Sequence, residues 1–405
     1  MSSSTSSSDQ APGTRKIYLR ILLAIVLGMA TALASVQAFV AANGAGSRSI
    51  LGRVIEAQEA IPSIAGEKED LVLVFGSSMV EAGFSPREFD RDLAEQGIDI
   101  KSFNFGFGGL NPLFQDYLSR RMVEQFQAQD RRIKLLLIEF NPFQTTVTRR
   151  EGARALEESY IALLASPKEL FDVFMKDPER GLRMLQIRYL RDGISAEMIT
   201  TFFWGEPFEQ QAPRTQLVQE EGIAEALDEL QAELGKRFSD EYPDYDGSDW
   251  YYPWQGGGTI QSERPAETVA LFNDYYRLTQ TDFRKDNARL RRIATSDIVD
   301  LNFDPELVDA FIRIVNNFKV IADDIEIVLL PKNHRWIDNP PEALARQADV
   351  VEQIKKATGV PVRDFQKVES LGDEMFSDTT HLNRYRGAVI FTRLLAEQYQ
   401  RTLRP

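Results

Sequence analysis

The sequence has no cysteine and only two histidines, His334 and His381. The absence of cysteine excludes disulfide bonds, thiolate metal sites and a thiol nucleophile. With only two histidines, a multi-histidine metal centre is not expected, and the sequence predicts neither a metal ion nor a cofactor. A nucleophile in this chain must therefore be an oxygen or a nitrogen.

Positive charge is also in the minority. The chain has 47 Lys and Arg against 61 Asp and Glu, for a formal net charge of −14. Nucleic-acid affinity depends on clustered Lys and Arg that neutralise phosphates, so nucleic acid is not an expected partner. The 405 residues, 43% of them apolar, suffice for one large α/β domain with insertions or for two modest domains.

An uncharged segment near the amino terminus predicts a membrane anchor. Residues 1–16 are polar and Ser-rich and end in two basic residues, and after Arg20 no charged residue occurs over Ile21–Gly46. The apolar part, Ile21–Ala42, would span roughly 30 Å as a helix, which matches the hydrocarbon core of a bilayer. We therefore expect a disordered cytoplasmic tail over residues 1–16 and a transmembrane anchor over residues 17–43.

The basic flank sets the expected orientation of this single-pass anchor. Positive charge before the apolar segment keeps that end in the cytoplasm and places the rest of the chain outside the cytoplasmic membrane, in the periplasm or at the cell surface. A cleaved signal peptide is the alternative interpretation, because Ala32-Leu33-Ala34 and Val36-Gln37-Ala38 resemble cleavage sites. Both interpretations predict that the bulk of the protein is exported.

The rest of the chain alternates between apolar runs and amphipathic helical patterns. The runs have the character of strands that are buried on both faces; they are Leu71–Phe75, Ile100–Phe105, Ile133–Phe140, Ile325–Leu330 and Val360–Phe365. Helical patterns occur near residues 86–96, 112–128, 305–322, 341–357 and 385–400. This alternation predicts an α/β fold with a parallel, doubly wound sheet.

Changes in pattern divide the chain beyond the anchor. Residues 44–66 are interpreted as a linker, in which Pro62 is expected to break any helix. Residues 67–147 and 299–405 carry the two parts of the α/β domain. Residues 148–298 between them are interpreted as a mostly helical insertion or cap.

Two short motifs contain the residues of a serine catalytic triad. Gly76-Ser77-Ser78 follows the first predicted strand, where the second serine would lie near the positive end of a helix. Asp378-Thr379-Thr380-His381 precedes the last predicted helix and supplies the base and carboxylate that a nucleophilic serine needs. Ser and Asp at such places are also ordinary helix caps. Together the motifs predict Ser78 as nucleophile, His381 as base and Asp378 as its carboxylate.

These motifs and two turns between them resemble the blocks of the SGNH (GDSL-like) hydrolase family, which occur in a fixed order on a flavodoxin-like sheet. The Ser78 motif corresponds to the family's Gly-Asp-Ser block and the His381 motif to its Asp-x-x-His block. The turn Asn104-Phe105-Gly106-Phe107-Gly108-Gly109 corresponds to the second block, and the resemblance assigns Gly109 to the oxyanion hole. Glu139-Phe140-Asn141-Pro142 corresponds to the third block, normally Gly-x-Asn-Asp, and assigns Asn141 to the same hole.

The chain departs from the family pattern at two places. Ser77 stands where the first block has aspartate, and Glu139 and Pro142 replace the usual neighbours of Asn141. The Gly-Ser-Ser form is similar to the teichoic acid D-alanylation proteins, which are also tethered by one amino-terminal helix. The resemblance covers about half of the chain and leaves the insertion over residues 148–298 unmatched.

The resemblance implies serine-dependent acyl-ester chemistry outside the cytoplasmic membrane. The leading hypothesis is O-acyl transfer, in particular acetyl transfer, to or from a cell-envelope or exported polysaccharide through an acyl-serine intermediate. A multi-span membrane O-acyltransferase that relays the acyl group is the expected protein partner. Two alternatives stay open: a carbohydrate or lipid esterase that uses water, and a noncatalytic polysaccharide-assembly protein on the same fold.

Five further side chains are candidates for contacts with the substrate. Asn104 belongs to the second block, and Asn333 and His334 follow a predicted strand end, where loops often bind ligands. Trp250 and Trp254 offer aromatic faces for stacking on sugar rings. A surface loop is the structural alternative for Asn333 and His334, and packing of the insertion is the alternative for the two tryptophans.

Overall fold

The computed structural model describes residues 12–43, 50–108, 111–188, 298–376, 379–383 and 386–404, together with isolated helical positions between residues 225 and 274. The chain divides into two compact units, one formed by Met1–Ser47 with Ala165–Ala212 and the other by Arg48–Leu164 with Pro213–Pro405. The second unit contains the sheet and every described residue of the predicted triad and oxyanion hole.

A five-stranded parallel sheet forms the centre of the second unit. Its strands are β1 (Asp70–Ser77), β2 (Ile100–Phe107), β3 (Ile133–Glu139), β4 (Ala322–Leu329) and β5 (Val362–Asp364). Their order across the sheet is β2-β1-β3-β4-β5, and every pairing is parallel. This is the order of flavodoxin-like doubly wound sheets, whose ligands bind beyond the carboxyl ends of the strands where the winding reverses, between β1 and β3. The predicted α/β class with a parallel sheet and the five predicted strands are confirmed.

Helices connect these strands. Numbered in chain order, the continuous described helices are α1 (Pro12–Asn43), α2 (Ile50–Ala65), α3 (Ser78–Gly83), α4 (Pro86–Ala94), α5 (Pro112–Ala128), α6 (Val147–Leu164), α7 (Pro167–Lys176), α8 (Pro178–Gln186), α9 (Pro305–Phe318), α10 (Pro341–Thr358) and α11 (Gly387–Leu403). The five helical patterns expected from the sequence correspond to α4, α5, α9, α10 and, after the last strand, α11.

Proline and capping side chains determine where two of these helices begin. α5 starts at Pro112 after Asn111, and α9 starts at Pro305 after Asp304. In both cases the preceding side chain accepts a hydrogen bond from a backbone N–H of the first turn. Proline fits the first position because its missing N–H would have no partner there. These signals are local, so the sequence alone locates both helices.

Both faces of the sheet are covered. Leu71, Leu73 and Phe75 of β1 face one core with α2, α5, α6 and α9, whereas Val72 and Val74 face a second core with α3, α4 and α11. Burial on both faces explains why the strands are continuous apolar runs without alternation. Helices α3 and α11 lie on the same face and contact each other.

Within the linker predicted for residues 44–66, the expectation that Pro62 breaks any helix is wrong. Helix α2 occupies Ile50–Ala65, with Pro62 inside it. Its fully buried face is formed by Val54, Ala57, Ile61 and Ile64, at the spacing of one helical face. Burial of this face in the core offsets the effect of the proline, which lies one turn from the helix end.

The predicted start of the insertion at residue 148 is also displaced. Helix α6 belongs to the unit of the sheet, and the ring of its Tyr160 lies 4.6 Å, centroid to centroid, from that of Phe114 on α5. The change of unit comes at Ala165, after which α7 and α8 pack on each other. The remainder of the predicted insertion lies almost entirely outside the described residues.

The predicted anchor, residues 17–43, falls within α1. Its large apolar side chains from Ile17 to Met29 are more than half exposed. Among the described residues, no helix combines the length and the apolar character that crossing a bilayer requires.

Candidate active site

Ser78 lies where β1 passes directly into α3. The strand ends at Ser77 and the helix begins at Ser78. Ser77 is the N-cap, because its hydroxyl oxygen accepts a hydrogen bond from the N–H of Met79 at 3.2 Å. Ser77 is buried, whereas Ser78 is partly exposed. The capping function therefore belongs to Ser77, and the Ser78 hydroxyl is left accessible.

Glycine allows the neighbouring segments to approach this turn. A Cβ at Gly76 would lie 2.4 Å from Oε2 of Glu139, and a Cβ at Gly106 would lie 2.1 Å from the backbone N of Glu81. No side chain fits at such distances. The end of β3 can therefore approach Gly76, and α3 can approach Gly106, only because these residues are glycines.

His381 meets Ser78 across 303 positions of sequence. Nε2 of His381 is 2.7 Å from Oγ of Ser78, a hydrogen-bond distance. Nδ1 of the same ring is 3.2 Å from Oγ1 of Thr380. When Nδ1 carries the ring hydrogen, Nε2 accepts from the Ser78 hydroxyl, which is the arrangement of a serine nucleophile with its general base. The structure thus brings together two of the three predicted triad residues.

Asp378, the third predicted triad residue, lies outside the described residues. The loop to which it belongs is closed by an antiparallel bridge between Phe376 and Leu382. Asn383 joins this loop to α11: its Oδ1 accepts hydrogen bonds from the N–H groups of Arg386 at 2.9 Å and Gly387 at 2.8 Å. The base is therefore held between a β-bridge and a helix start.

The second predicted block lies beside Ser78. A Cβ at Gly108 would be 3.9 Å from the Cβ of Ser78. Gly109, the predicted oxyanion residue, lies outside the described residues. Asn104 is fully buried, and its Nδ2 donates to the carbonyl oxygens of Phe84 at 2.7 Å and Val80 at 3.0 Å. These contacts tie α3 to β2, so Asn104 supports the helix that carries Ser78 and has no exposed surface for a substrate.

Asn141, the other predicted oxyanion residue, follows the end of β3 and reaches the Ser78 turn. Its Nδ2 donates to Oγ of Ser77 at 2.8 Å, and its Oδ1 accepts from the N–H of Phe143 at 2.9 Å. The second contact fixes which end of the amide faces Ser77.

A buried carboxyl group, that of Glu139, completes this cluster. Oε2 of Glu139 accepts from the backbone N–H of Ser77 at 2.6 Å, and Oε1 accepts from the Ser77 hydroxyl at 3.0 Å. Burial raises the pKa of Glu139 to about 7, while the hydrogen bonds from Ser77 oppose this rise.

Asn333 lies next to the catalytic loop without pointing outward. It is buried, and its Nδ2 donates to Oδ1 of Asp373 at 2.8 Å. Nε1 of Trp336 donates to the same oxygen at 2.9 Å, and Nη1 of Arg335 donates to Oδ2 at 2.9 Å. Asp373 begins the 3₁₀ turn Asp373–Met375 that leads into the His381 loop. The three side chains therefore secure the start of that loop.

His334, by contrast, is exposed. Its Nε2 lies 2.7 Å from the carbonyl oxygen of Gln366. It lines a cavity of about 380 Å³ at the carboxyl ends of β4 and β5, together with Lys332 and Asp364. Trp250 and Trp254, the other candidates for substrate contacts, lie outside the described residues.

Three residues with contacts in the site are not candidates on sequence grounds: Glu139, which stands out only as a departure from the family's third block, Thr380 and Asp373. The signal for Glu139 was available in principle: a glutamate at the end of an apolar run in a buried parallel strand needs a partner. No local signal distinguished Asp373 from a solvated acidic residue.

Comparison with known proteins assigns no family. No protein-family model matches the sequence, and no curated protein matches it. In the part of the chain that the structure describes, no group of three or more His, Asp or Glu side chains is arranged to hold a metal ion. The class of protein must therefore be argued from the fold and the site: a doubly wound α/β protein with a serine–histidine pair at the carboxyl edge of its sheet.

Proposed function

We propose that this chain is a serine-dependent acyl-ester enzyme of the SGNH hydrolase type. The single observation that carries the proposal is the 2.7 Å contact between Oγ of Ser78 and Nε2 of His381. A hydroxyl this close to an imidazole can lose its proton to the ring as it attacks a carbonyl carbon.

The reaction divides into two transfers of the acyl group. Ser78 Oγ forms a bond to the acyl carbon, His381 takes the hydroxyl proton, and the leaving alcohol departs with that proton. An acceptor hydroxyl, from water or from a sugar, then loses its proton to His381 and bonds to the acyl carbon. The bond from that carbon to Ser78 Oγ breaks, and His381 returns the proton to Oγ. Asp378 has the predicted role of holding the imidazole and balancing its charge.

The developing oxyanion needs hydrogen-bond donors. The backbone N–H of Ser78 lies at the start of α3, and the Asn141 amide lies within hydrogen-bond distance of the adjacent Ser77. Family resemblance adds the N–H of Gly109. Each such donor typically contributes about 3 kcal/mol to stabilising the transition state.

The positions of the motifs support the SGNH assignment. The first three blocks lie at the carboxyl ends of β1, β2 and β3, three adjacent strands, and the last block precedes α11 on the same face as α3. Parallel strands bring such ends to one edge of the sheet. Four turns without a shared function would not be expected to lie together at this edge of the sheet.

The substrate class is proposed from the sequence. An acylated polysaccharide of the cell envelope or an exported polysaccharide fits a catalytic unit that follows a basic and then apolar amino-terminal segment. In this proposal the catalytic unit lies outside the cytoplasmic membrane, residues 17–43 tether it there, and a multi-span O-acyltransferase delivers the acyl group.

The test uses the full-length chain in detergent, an activated acetyl ester and a fluorophosphonate probe. We expect ester turnover and labelling at Ser78, and loss of both in Ser78→Ala. Ser85→Ala is the matched control, because Ser85 is a buried serine at the start of α4 whose side chain makes no cap hydrogen bond. An unlabelled and inactive wild-type chain would leave only the noncatalytic alternative.

The same assay separates transfer from hydrolysis. Added oligosaccharide should accelerate consumption of the ester and become acylated if the enzyme is a transferase. Turnover that is unchanged by the oligosaccharide, with free acetate as the only acyl product, would identify a plain esterase.

A further inference from the structure

Glu139 is a buried carboxyl group that the serine–histidine chemistry does not use. It is the last residue of β3, and its side chain is directed toward the end of β1, where both of its oxygens contact Ser77. Only 3% of Glu139 is exposed. Ser77 directly precedes the proposed nucleophile, Ser78. A carboxyl group that is so far from water and contacts this residue requires an explanation.

A count of hydrogens defines the charge state that these contacts require. The Ser77 hydroxyl oxygen accepts hydrogen bonds from the N–H of Met79 at 3.2 Å and from Nδ2 of Asn141 at 2.8 Å. A hydroxyl has two lone pairs and one hydrogen, so the hydrogen is left to donate to Oε1 of Glu139. Oε2 of Glu139 already accepts from the backbone N–H of Ser77. Both carboxyl oxygens therefore act as acceptors, as in an ionised carboxylate.

Ionisation of Glu139 conflicts with its burial. Burial raises its pKa to about 7, and the Ser77 hydrogen bonds, the nearby charge of His381 and the Asn141 amide lower it. The residues that flank Glu139 on β1, α3 and β4 are uncharged: Gly76, Val80 and Val328. A buried group that must ionise against this cost is typical of functional sites.

We propose that Glu139 is a positioning residue for Ser78: its carboxylate orients Ser77 and, through Ser77, both the Asn141 amide and the first turn of α3. The site is then in its working arrangement when Glu139 is ionised. Protonation gives Glu139 a hydrogen that has no acceptor in this cluster, so Ser77 and Asn141 must reorient. This inference rests on the function proposed above.

The two departures from the family pattern touch each other. Ser77 occupies the position of the usual aspartate of the first block, and Glu139 occupies a position where the third block has glycine. In this chain the carboxylate beside the nucleophile thus comes from β3. Strands β1 and β3 are adjacent and pair in parallel as far as Phe75 and Ile138, the residues just before this contact. A carboxylate at the end of β3 can therefore reach the end of β1.

The experiment is a pH profile of kcat/KM for ester turnover by the full-length chain and by Glu139→Gln. Ionisation of Glu139 should appear in the wild-type profile as a rise of about tenfold in kcat/KM, centred near pH 7. Glu139→Gln has no such group, so its profile should lack this step. The maximal kcat/KM should fall about tenfold, because the amide cannot accept at both of its ends.

Glu88→Gln is the matched control. Glu88 on α4 is a buried glutamate whose pKa burial also raises to about 7, but it interacts with Arg91 and not with the Ser78 turn. Its substitution should leave the tenfold step in place. A step that persists in Glu139→Gln, or a step that is lost in both variants, would overturn the proposal.

Ser77→Ala provides a second route if Glu139→Gln does not fold. It removes a hydrogen bond that lowers the pKa of Glu139, so the acid limb should move to higher pH. Where Glu139→Gln does fold, the losses of kcat/KM in the double variant should not multiply, since both substitutions break the same chain of contacts. Multiplicative losses would show independent functions and contradict the inference.

The two proposals fail in different ways. A wild-type chain without Ser78-dependent turnover would remove the proposed function, whatever Glu139 does. A wild-type chain that is active and labelled at Ser78, but whose profile is unaffected by either substitution, would remove only the inference on Glu139.

Discussion

Asn104 on β2 donates a hydrogen bond from Nδ2 to the carbonyl oxygen of Phe84, just beyond α3, at 2.7 Å. A second bond from the same nitrogen reaches the carbonyl oxygen of Val80 at 3.0 Å. The short helix that begins with the nucleophile is therefore fastened at its carboxyl end to the neighbouring strand. The position of Ser78 is therefore supported at both ends of α3, by the strand that precedes it and by these hydrogen bonds.

Replacement of Asn104 by Ala should weaken both stability and catalysis. The carbonyl oxygen of Phe84 loses the Asn104 donor and the N–H of Gly106 loses the Asn104 acceptor, which we expect to lower the free energy of unfolding by about 2 kcal/mol. Because α3 is released, kcat should fall more than KM rises. Urea unfolding and steady-state kinetics test this.

The control is Asn317→Ala on α9, which removes the amide that donates to Asp116 and Ser119 in the core on the other face of the sheet. It should lower stability and leave kcat unchanged. Equal effects of the two variants on kcat would contradict a specific function of Asn104.

We expect Asp373 to contribute more to the position of the base, His381, than to the stability of the fold. It accepts hydrogen bonds from Asn333, Arg335 and Trp336 at the start of the loop to His381. In Asp373→Ala the buried Asn333 amide and the Trp336 N–H lose their acceptor, and we expect slower fluorophosphonate labelling of Ser78.

Arg335→Ala is the comparison for Asp373. The Arg335 side chain is 58% exposed, and exposed ion pairs contribute at most about 1 kcal/mol. Labelling by Arg335→Ala should therefore proceed at the wild-type rate. If both variants label equally slowly, the salt bridge and not the buried amide contact holds the loop.

Gly387 should tolerate no side chain. A Cβ at this position would lie 2.0 Å from the carbonyl oxygen of Met375, in the backbone just before the catalytic loop. Gly387→Ala must therefore displace either that backbone or the start of α11, and we expect a destabilisation of about 3 kcal/mol with loss of turnover. At Gly83 the nearest atom to an added Cβ is Cδ1 of Leu382 at 3.4 Å, so Gly83→Ala should be accepted. Thermal unfolding of the two variants makes the comparison.

Glu139 should make the protein less stable as the pH rises. Its pKa in the folded chain, about 7, lies above the ordinary pKa of a glutamate, 4.5, so between these values the folded state holds a proton that the unfolded state has already lost. Between these two values stability falls with rising pH, by roughly 3 kcal/mol in all.

Glu139→Gln lacks this titration. The unfolding free energy of the variant minus that of the wild type should therefore increase between about pH 4.5 and about pH 7. Denaturant unfolding at several pH values measures the difference. A difference that is flat with pH would mean that Glu139 ionises as easily in the folded chain as in water.

The amino-terminal segment should retain the protein in membranes. We expect the full-length chain to stay in the membrane fraction after alkaline carbonate extraction, and a chain that begins at Arg48 to be released. Replacement of Leu23 and Val26 by Lys in the full-length chain is the sharper test, because charges in the apolar segment oppose insertion. Full release of the unaltered chain would contradict the anchor and favour the cleaved signal peptide.

Local patterns in the sequence were sufficient for the strands and most helices. The runs Leu71–Phe75 and Ile133–Phe140 are apolar because both faces of the sheet are covered, and Pro112 and Pro305 mark helix starts by their own chemistry. The same local treatment failed at α2, where Pro62 suggested a break. Only the burial of Val54, Ala57, Ile61 and Ile64 in the core explains why the helix persists.

The sequence by itself determined the α/β alternation, because strand character and helix caps are properties of neighbouring residues. It also offered Ser78 and His381 as candidates, but their contact is a property of the tertiary structure. Tertiary structure alone decided that Ser77 caps α3, that Asn104 donates a hydrogen bond at the carboxyl end of α3, and that Glu139 contacts Ser77 from the adjacent strand β3. Those contacts depend on which strands lie side by side and in what register. That arrangement is set by burial across the whole sheet, so no short segment of sequence records it.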